Sequence, residues 1–265
     1  MKTVHYVTGT PRSCSTLLCN ILAQNPKFHA TASSGLIDLI YPARKNLSDL
    51  GEFKAMDPKD AENMFCDWAR GGIVNAFNNL TDRPVVFDKG RSWIGYLDLL
   101  FHLFPEAKVI VPVRDVRGIL TSFEKKRRKH PAYFEAEENP ATNFTTIERR
   151  VQSWLASPKL GIAIERLYEA STRFKDNLHF VHAEHLTDNP KQTMTKLYSY
   201  LEEEYFEHDF NNVEQYTSEH DGVWWPFGDH EIRREVKPLK KEWNDTLGRQ
   251  LSETVNQKFG WVNDL

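Results

Sequence analysis

A chain of 265 residues, 40% apolar and 12% aromatic, is long enough to bury one sizeable core and is too apolar for a disordered protein. Its net charge of −3 lacks the basic excess of a general nucleic-acid binder, and Cys14, Cys19 and Cys66, odd in number and without C-x-x-C spacing, indicate neither a disulfide framework nor a zinc site. With no apolar run of 18 residues and a strand beginning at residue 3, the expectation is a cytoplasmic protein with no leader, no membrane anchor and no nucleic-acid partner.

The first element is a β-branched and aromatic strand over 3–8 that ends at Gly9. A polar turn follows, Thr10-Pro11-Arg12-Ser13-Cys14, and then Ser15 and Thr16 open an apolar helix over 15–24. Unpaired N–H groups and the positive end of the dipole make such a helix start a site for phosphate or sulfate. Arg12 adds a cationic fork, and Ser13, Ser15 and Thr16 add hydroxyl donors. A magnesium-nucleotide loop needs Gly-Lys followed by Ser or Thr, and that pair is missing, so the loop suits an anion without a dedicated metal. Taken alone, the segment also fits an ordinary strand-to-helix turn capped by Ser13 or Ser15. Cys14 stands where a helix start lowers thiol pKa, but a small loop filler is the expectation.

Residues 29–56 read as polar and irregular, with Ser33-Ser34-Gly35, and a long helical stretch spans 58–79. A strand over 84–88 runs into Lys89, followed by a turn and a helix over 93–104. The carboxyl end of a sheet strand is where open α/β sheets bind ligands, although Lys89 also fits a surface lysine beside Asp88. Another strand, 108–113, meets a helix over 115–129 with Arg114 at the junction and Ser122 eight residues later. Both can face one ligand only if Arg114 precedes the helix and reaches back, a residue for contact with a ligand and not for packing. The run Lys125–Lys129 suits a helix carboxyl end, and Lys126 lies one turn beyond Ser122. The stretch 145–175 carries Ile147, Val151, Trp154, Leu155, Ile162, Ile164 and Leu167 as a core stripe, interrupted at Pro158. A strand over 178–183, a helix over 190–201 and an irregular segment over 203–240 with Trp224-Trp225-Pro226-Phe227 complete the chain, before a basic turn at Lys237-Pro238. This alternation predicts a single α/β domain over 1–265, three layers deep, with a mainly parallel central sheet.

The segments Thr3–Leu22 and Lys108–Phe123, in this order and about 100 residues apart, together resemble the paired nucleotide-binding motifs of sulfotransferases that use 3′-phosphoadenosine 5′-phosphosulfate. The likeness is to the Pro-Arg-Ser type of tyrosylprotein and bacterial enzymes. It implies the P-loop-like sulfotransferase fold and a soluble transferase that takes this co-substrate without a metal and releases 3′,5′-adenosine diphosphate. It further implies that Pro11, Arg12, Ser13, Cys14, Ser15 and Thr16 cradle the 5′-phosphosulfate, and that Arg114, Ser122 and Lys126 hold the 3′-phosphate. By the same resemblance Arg12 and Lys89 are catalytic, Lys89 by neutralising charge on the moving sulfuryl group. Lys237 would close over the donor and residues 29–56 would contact the acceptor. The tyrosylprotein pattern supplies a glutamate where Ser33 stands here, so His29, Asp38 and Asp88 remain candidates for the general base and the acceptor stays open between hydroxyls and amines. Two alternatives stand beside this reading. One is a kinase with an atypical loop and magnesium on Asp88 or Asp115; the other is an inactive nucleotide-binding module of the same fold.

Overall fold

Five short apolar runs form one parallel sheet in the computed structural model, which describes residues 2–131, 146–217 and 230–265. They are β1 (Thr3–Val7), β2 (Phe28–Ala30), β3 (Val85–Lys89), β4 (Val109–Val113) and β5 (Leu178–His182), in spatial order β2-β3-β1-β4-β5. Every neighbouring pair is parallel, so the chain returns to the amino edge through a crossover each time. Successive side chains leave a strand on opposite faces. Val7, Phe87, Ile110 and Val181 therefore enter one core, and Tyr6, Val109, Val111 and Val113 the other.

The crossovers and the carboxyl-terminal part supply the outer layers: α1 (Ser15–Leu22), α2 (Leu36–Asp49), α3 (Gly51–Lys54), α4 (Pro58–Ala76), α5 (Leu97–Leu103), α6 (Val116–Lys129), α7 (Ile147–Ala156), α8 (Ala163–Arg173), α9 (Ala183–Asp188), α10 (Pro190–Leu201), α11 (Trp243–Leu247) and α12 (Arg249–Phe259). On the first face, α1 and α10 bury Leu18, Ile21, Leu22, Met194 and Leu197. On the second, α2, α4, α5, α6 and α8 bury Ile40, Ile73, Leu100, Ile119 and Leu167. Helices on both faces explain why β3 and β4 are buried along their whole length. The α/β three-layer architecture is the one expected. No helix among the described residues is long and apolar enough to cross a membrane.

Two expectations change in detail. Residues 29–56 are not irregular; they contain β2, α2 and α3. Leu36, Ile37, Ile40 and Leu47 keep helical spacing there, but Pro42 lies inside α2 and disguises it. Burial of Ile37 and Ile40 in the second core outweighs the backbone bond that Pro42 forfeits. The helix expected over 93–104 divides into a 3₁₀ turn, Arg91–Gly95, and α5. Pro158 does interrupt the long stretch, where a π turn over Pro158–Ile162 joins α7 to α8. The Trp224–Phe227 stretch lies outside the described residues.

The segment after α10 is irregular where described, yet it is fastened to α1. Asn20, fully buried on α1, accepts hydrogen bonds from the backbone N–H groups of Tyr216 and Thr217. Its amide nitrogen donates to the Thr217 hydroxyl and to the Thr16 carbonyl. Gln24 and Asp209 exchange a second pair of bonds nearby. His208 packs among the rings of Tyr198, Tyr205, Phe206 and Phe210, which seats the same segment on the first core.

His208 and the β1 residue His5 are both buried, and burial pulls the pKa of each from 6.5 to about 4; Lys108 adds to the effect at His5. The unfolded chain takes up these protons near pH 6.5 and the folded chain only near pH 4. Stability is therefore full above pH 6.5 and falls as the pH drops toward 4, by about 3 kcal/mol for each histidine. Urea midpoints across this range should show the decline, and the double variant His5→Phe/His208→Phe should flatten it; an unchanged slope in the variant contradicts the assignment.

Candidate active site

The site begins where β1 meets β4. A Cβ on Gly9 would stand 2.3 Å from the Pro112 carbonyl oxygen, so only glycine lets the two strand ends approach this closely. Beyond it the chain turns into α1 through two residues in the left-handed region, Arg12 (φ 59°) and Cys14 (φ 62°). For residues with a Cβ that conformation costs roughly 1–2 kcal/mol each. Such strain gathers at ligand-holding loops, and alternating backbone hands aim successive N–H groups at one point, the concavity that holds anions. The cap residue of α1 is Cys14, and its side chain makes no capping bond. Ser13, expected to offer its hydroxyl outward, is buried and donates to the Thr10 carbonyl (2.7 Å), so its proton serves the loop itself. Pro11 is buried beside it. Burial pushes the Cys14 thiol up, against the opposing pull of Arg114 and Arg12, which leaves it a protonated filler. The capped-turn alternative does not describe this loop.

The second motif reaches the first. Asp115 accepts from the Arg117 N–H and caps α6, so Arg114 precedes the helix as its spacing required. Its side chain folds back over Gly118, where a Cβ would come within 2.8 Å of the guanidinium Nε. Arg114 Nη1 donates to the Arg12 carbonyl (3.1 Å), and Arg12 Nε donates to Ser122 Oγ (3.1 Å). Arg12 is thus held from both ends by residues more than 100 positions later. Arg114 was expected to touch a ligand and not to pack; at 14% exposure it also braces the loop, with Glu184 Oε1 3.9 Å away.

Lys89, 8% exposed at the carboxyl end of β3, donates from Nζ to Thr16 Oγ1 (3.3 Å). Its backbone is fixed on both sides, because its N–H donates to Thr31 Oγ1 (2.8 Å) and its carbonyl accepts from the Ser34 N–H (2.8 Å). Arg12, Arg114 and Ser122 therefore form one bonded group and Lys89 and Thr16 a second, and the loop that carries Arg12 into Thr16 joins the two. Ser15 lies in the first turn of α1 and Lys126 in the last turn of α6, both partly exposed. Lys237 is exposed and pairs with Glu235 (2.7 Å). Thr31, Gly118 and Glu184 were not singled out in the sequence. Thr31 and Glu184 each follow the end of a strand, the position that marked Lys89.

The candidate acids and bases differ in setting. Asp88 is fully buried and accepts from Trp93 Nε1 (2.8 Å); burial pushes its carboxyl up, against hydrogen bonds from Ser34 and Trp93. Burial would raise Asp115 too, but its bonds to Arg117 and Asn263 hold it below the usual carboxylate range. Asp115 is thus held by Arg117 and Asn263, and Asp88 lies buried against Trp93. His29 on β2 is lowered by burial and by Arg83 and Lys2, charges at the amino edge of the sheet. Asp38 lies exposed in the first turn of α2. Among the described residues, no three His, Cys, Asp or Glu side chains stand close enough to hold a metal ion.

A family model described as the sulfotransferase family matches residues 6–207, about three quarters of the chain. No curated protein matches it in sequence. Among solved structures, the sulfotransferase domain from the curacin biosynthetic pathway superposes with a TM-score of 0.56 at 16% identity, covering 98% of both chains. The sulfotransferase domain of the Synechococcus PCC 7002 olefin synthase gives 0.56 at 19% identity, over 98% of this chain and 96% of that one. A sulfotransferase from Mycobacterium avium gives 0.50 at 13%, over 100% and 77%. At these identities the likeness is one of fold.

Two glycine substitutions separate scaffold from site. Gly9→Ala collides with backbone and should cost roughly 1–3 kcal/mol of stability in urea unfolding. Gly118→Ala meets only the movable Arg114 side chain, so the fold should hold within about 1 kcal/mol while pyrophosphate binding weakens several-fold. Equal binding by Gly118→Ala and the parent protein would detach Arg114 from the anion site.

Proposed function

The chain belongs to the sulfotransferase family, and from that premise we propose that it transfers a sulfuryl group from 3′-phosphoadenosine 5′-phosphosulfate to a hydroxyl or amine acceptor. The observation that carries the proposal is the pair of bonds joining Arg114 to the Arg12 carbonyl and Arg12 to Ser122, which makes one anion site of two motifs. The residues fit this donor: a strained loop of backbone N–H groups for one phosphate group, and a guanidinium, a hydroxyl and Lys126 across the crevice for another. A chain reversal at β1, with β3 on one side and β4 on the other, opens that crevice at the carboxyl edge.

The donor supplies a sulfuryl group activated by its phosphate leaving group. An acceptor oxygen or nitrogen forms the new bond to sulfur as the bond to the bridging oxygen breaks, and the electron pair leaves with 3′,5′-adenosine diphosphate. The acceptor's proton passes to a base. In such a displacement, positioning and charge stabilisation carry most of the catalysis. Arg12 and the loop N–H groups hold the phosphate on which negative charge grows. Lys89, whose ammonium donates to Thr16 beside the same loop, neutralises charge on the bridging oxygen or the moving group in this reading. The kinase alternative has no Gly-Lys loop, and both oxygens of its candidate Asp115 accept from Arg117.

Calorimetric titration tests this directly. The protein should bind 3′,5′-adenosine diphosphate in preference to ATP with magnesium; preference for ATP overturns the proposal. Arg114→Ala should weaken that binding by about thirtyfold, the loss of roughly 2 kcal/mol for hydrogen bonds to a charged group. Lys89→Ala should keep donor affinity and lose on the order of 10²–10³ in kcat; an undiminished kcat would remove Lys89 from the mechanism.

A further inference from the structure

Beside the donor crevice, α2, α3, α4 and α5 enclose a cavity of about 910 Å³ that no step above uses. Its size falls in the range of small-molecule sites, roughly 300–1,000 Å³. Ala61, Phe65 and Leu99 give the lining an apolar part, and the rings of Tyr41 and Tyr96, tilted at 42° to each other with centroids 4.5 Å apart, also line it. The acids on its wall are already engaged: Glu62 with His102 (3.1 Å) and Asp98 with Arg173 (2.6 Å). Arg44 and Lys54, also on the wall, have no carboxylate partner among the described residues. Asp98 is offset by Arg173 and Arg166 by Glu169, while His102 is charged only when protonated, so two cations, Arg44 and Lys54, stand against the one acid Glu62 and the balance of the lining is positive.

The cavity has a defined direction relative to Lys89. The bond from the Ser34 N–H to the Lys89 carbonyl ties the start of α2 to the end of β3. Along α2, Tyr41 lies about 10 Å from that tie and Arg44 about 15 Å, at 1.5 Å per residue. Tyr96 reaches the same near end from the other side, because the 3₁₀ turn Arg91–Gly95 follows directly on Lys89 and Gly90. The aromatic pair thus marks the end toward the reacting group, and the free cations mark the far end.

We propose that this cavity holds the body of the acceptor, and that the acceptor is an extended apolar molecule with a hydroxyl at one end and a carboxylate or phosphate at the other. The inference rests on the sulfuryl-transfer reading. The hydroxyl passes the Tyr41–Tyr96 pair toward Lys89, the apolar span lies on Phe65 and Leu99, and the anionic end pairs with Arg44 and Lys54.

Displacement of an anthroyloxy-labelled stearate, followed by its fluorescence, tests the chemistry of the cavity. 12-Hydroxydodecanoate should displace the label at a concentration at least tenfold lower than 1,12-dodecanediol, which differs in lacking the anion. Arg44→Glu/Lys54→Glu, both at exposed positions, should abolish that preference, and Ala61→Phe should weaken both competitors several-fold by filling the apolar part. Each variant should bind 3′,5′-adenosine diphosphate as the parent does, which certifies its fold. A parent protein that binds the nucleotide but shows no preference for the acid overturns this inference alone, as does a preference that survives Arg44→Glu/Lys54→Glu. A parent protein that fails to bind the nucleotide overturns the sulfuryl-transfer reading, and the acceptor role falls with it.

Discussion

The closeness of β1 and β4 at Gly9 governs the whole carboxyl edge of the sheet. Where a side chain would collide with the Pro112 carbonyl, hydrogen alone lets the two strands end side by side. Their loops then leave toward opposite sides, since β1 leads out to β2 and β4 leads on to β5. Because the strand ends are so near, the divergent loops still touch through Arg12, Arg114 and Ser122. Two guanidiniums brought this close repel each other. The structure moderates the repulsion at Arg114, which donates to the Arg12 backbone carbonyl and has Glu184 3.9 Å from its Nε. What remains is a crevice whose positive potential is relieved by a ligand of several negative charges.

The second constraint is the rigidity of a strand-borne ammonium. Lys89 belongs to a strand and not to a loop, and its backbone is pinned to Thr31 and to Ser34. A strand-borne ammonium has little freedom to wander, so its alignment with Thr16 and the loop is set before any ligand arrives. The same pins place α2, and through α2 the wall of the neighbouring cavity. The positions of the Lys89 ammonium and of the α2 wall of the cavity are thus settled by one short stretch of backbone.

Much of this was legible in the residues. Glycine after a β-branched run, a basic turn and then an apolar helix announced the first loop, and Arg114 before a helix start announced the second. The contact between them was not legible, because pairing of β1 with β4 is a tertiary fact with no local signature. Ser13 shows the limit from another side: its residue type suits a ligand donor, but its direction follows from a left-handed backbone at Arg12 and Cys14 that no propensity predicts. The helix α2 was hidden for a different reason. Pro42 and the Ser-Gly stretch before it signalled irregularity, and only the burial of Ile37 and Ile40 outweighs them. Arg114 was read as a ligand contact when it is also a brace, since its carbonyl partner lies 102 residues earlier in the chain.

Asn20 changes what counts as the working unit of this protein. The family resemblance stops at residue 207, as though the remainder were an appendage. Yet the helix that carries the anion loop hides a primary amide in its interior, and the groups that satisfy it come from Tyr216 and Thr217. A chain ending at the family boundary would lose three of the four hydrogen bonds of that amide, together with the segment that covers it beneath the loop. During synthesis, the loop helix cannot reach its final packing until some two hundred further residues have been made. The first motif to be translated is thus among the last to be completed.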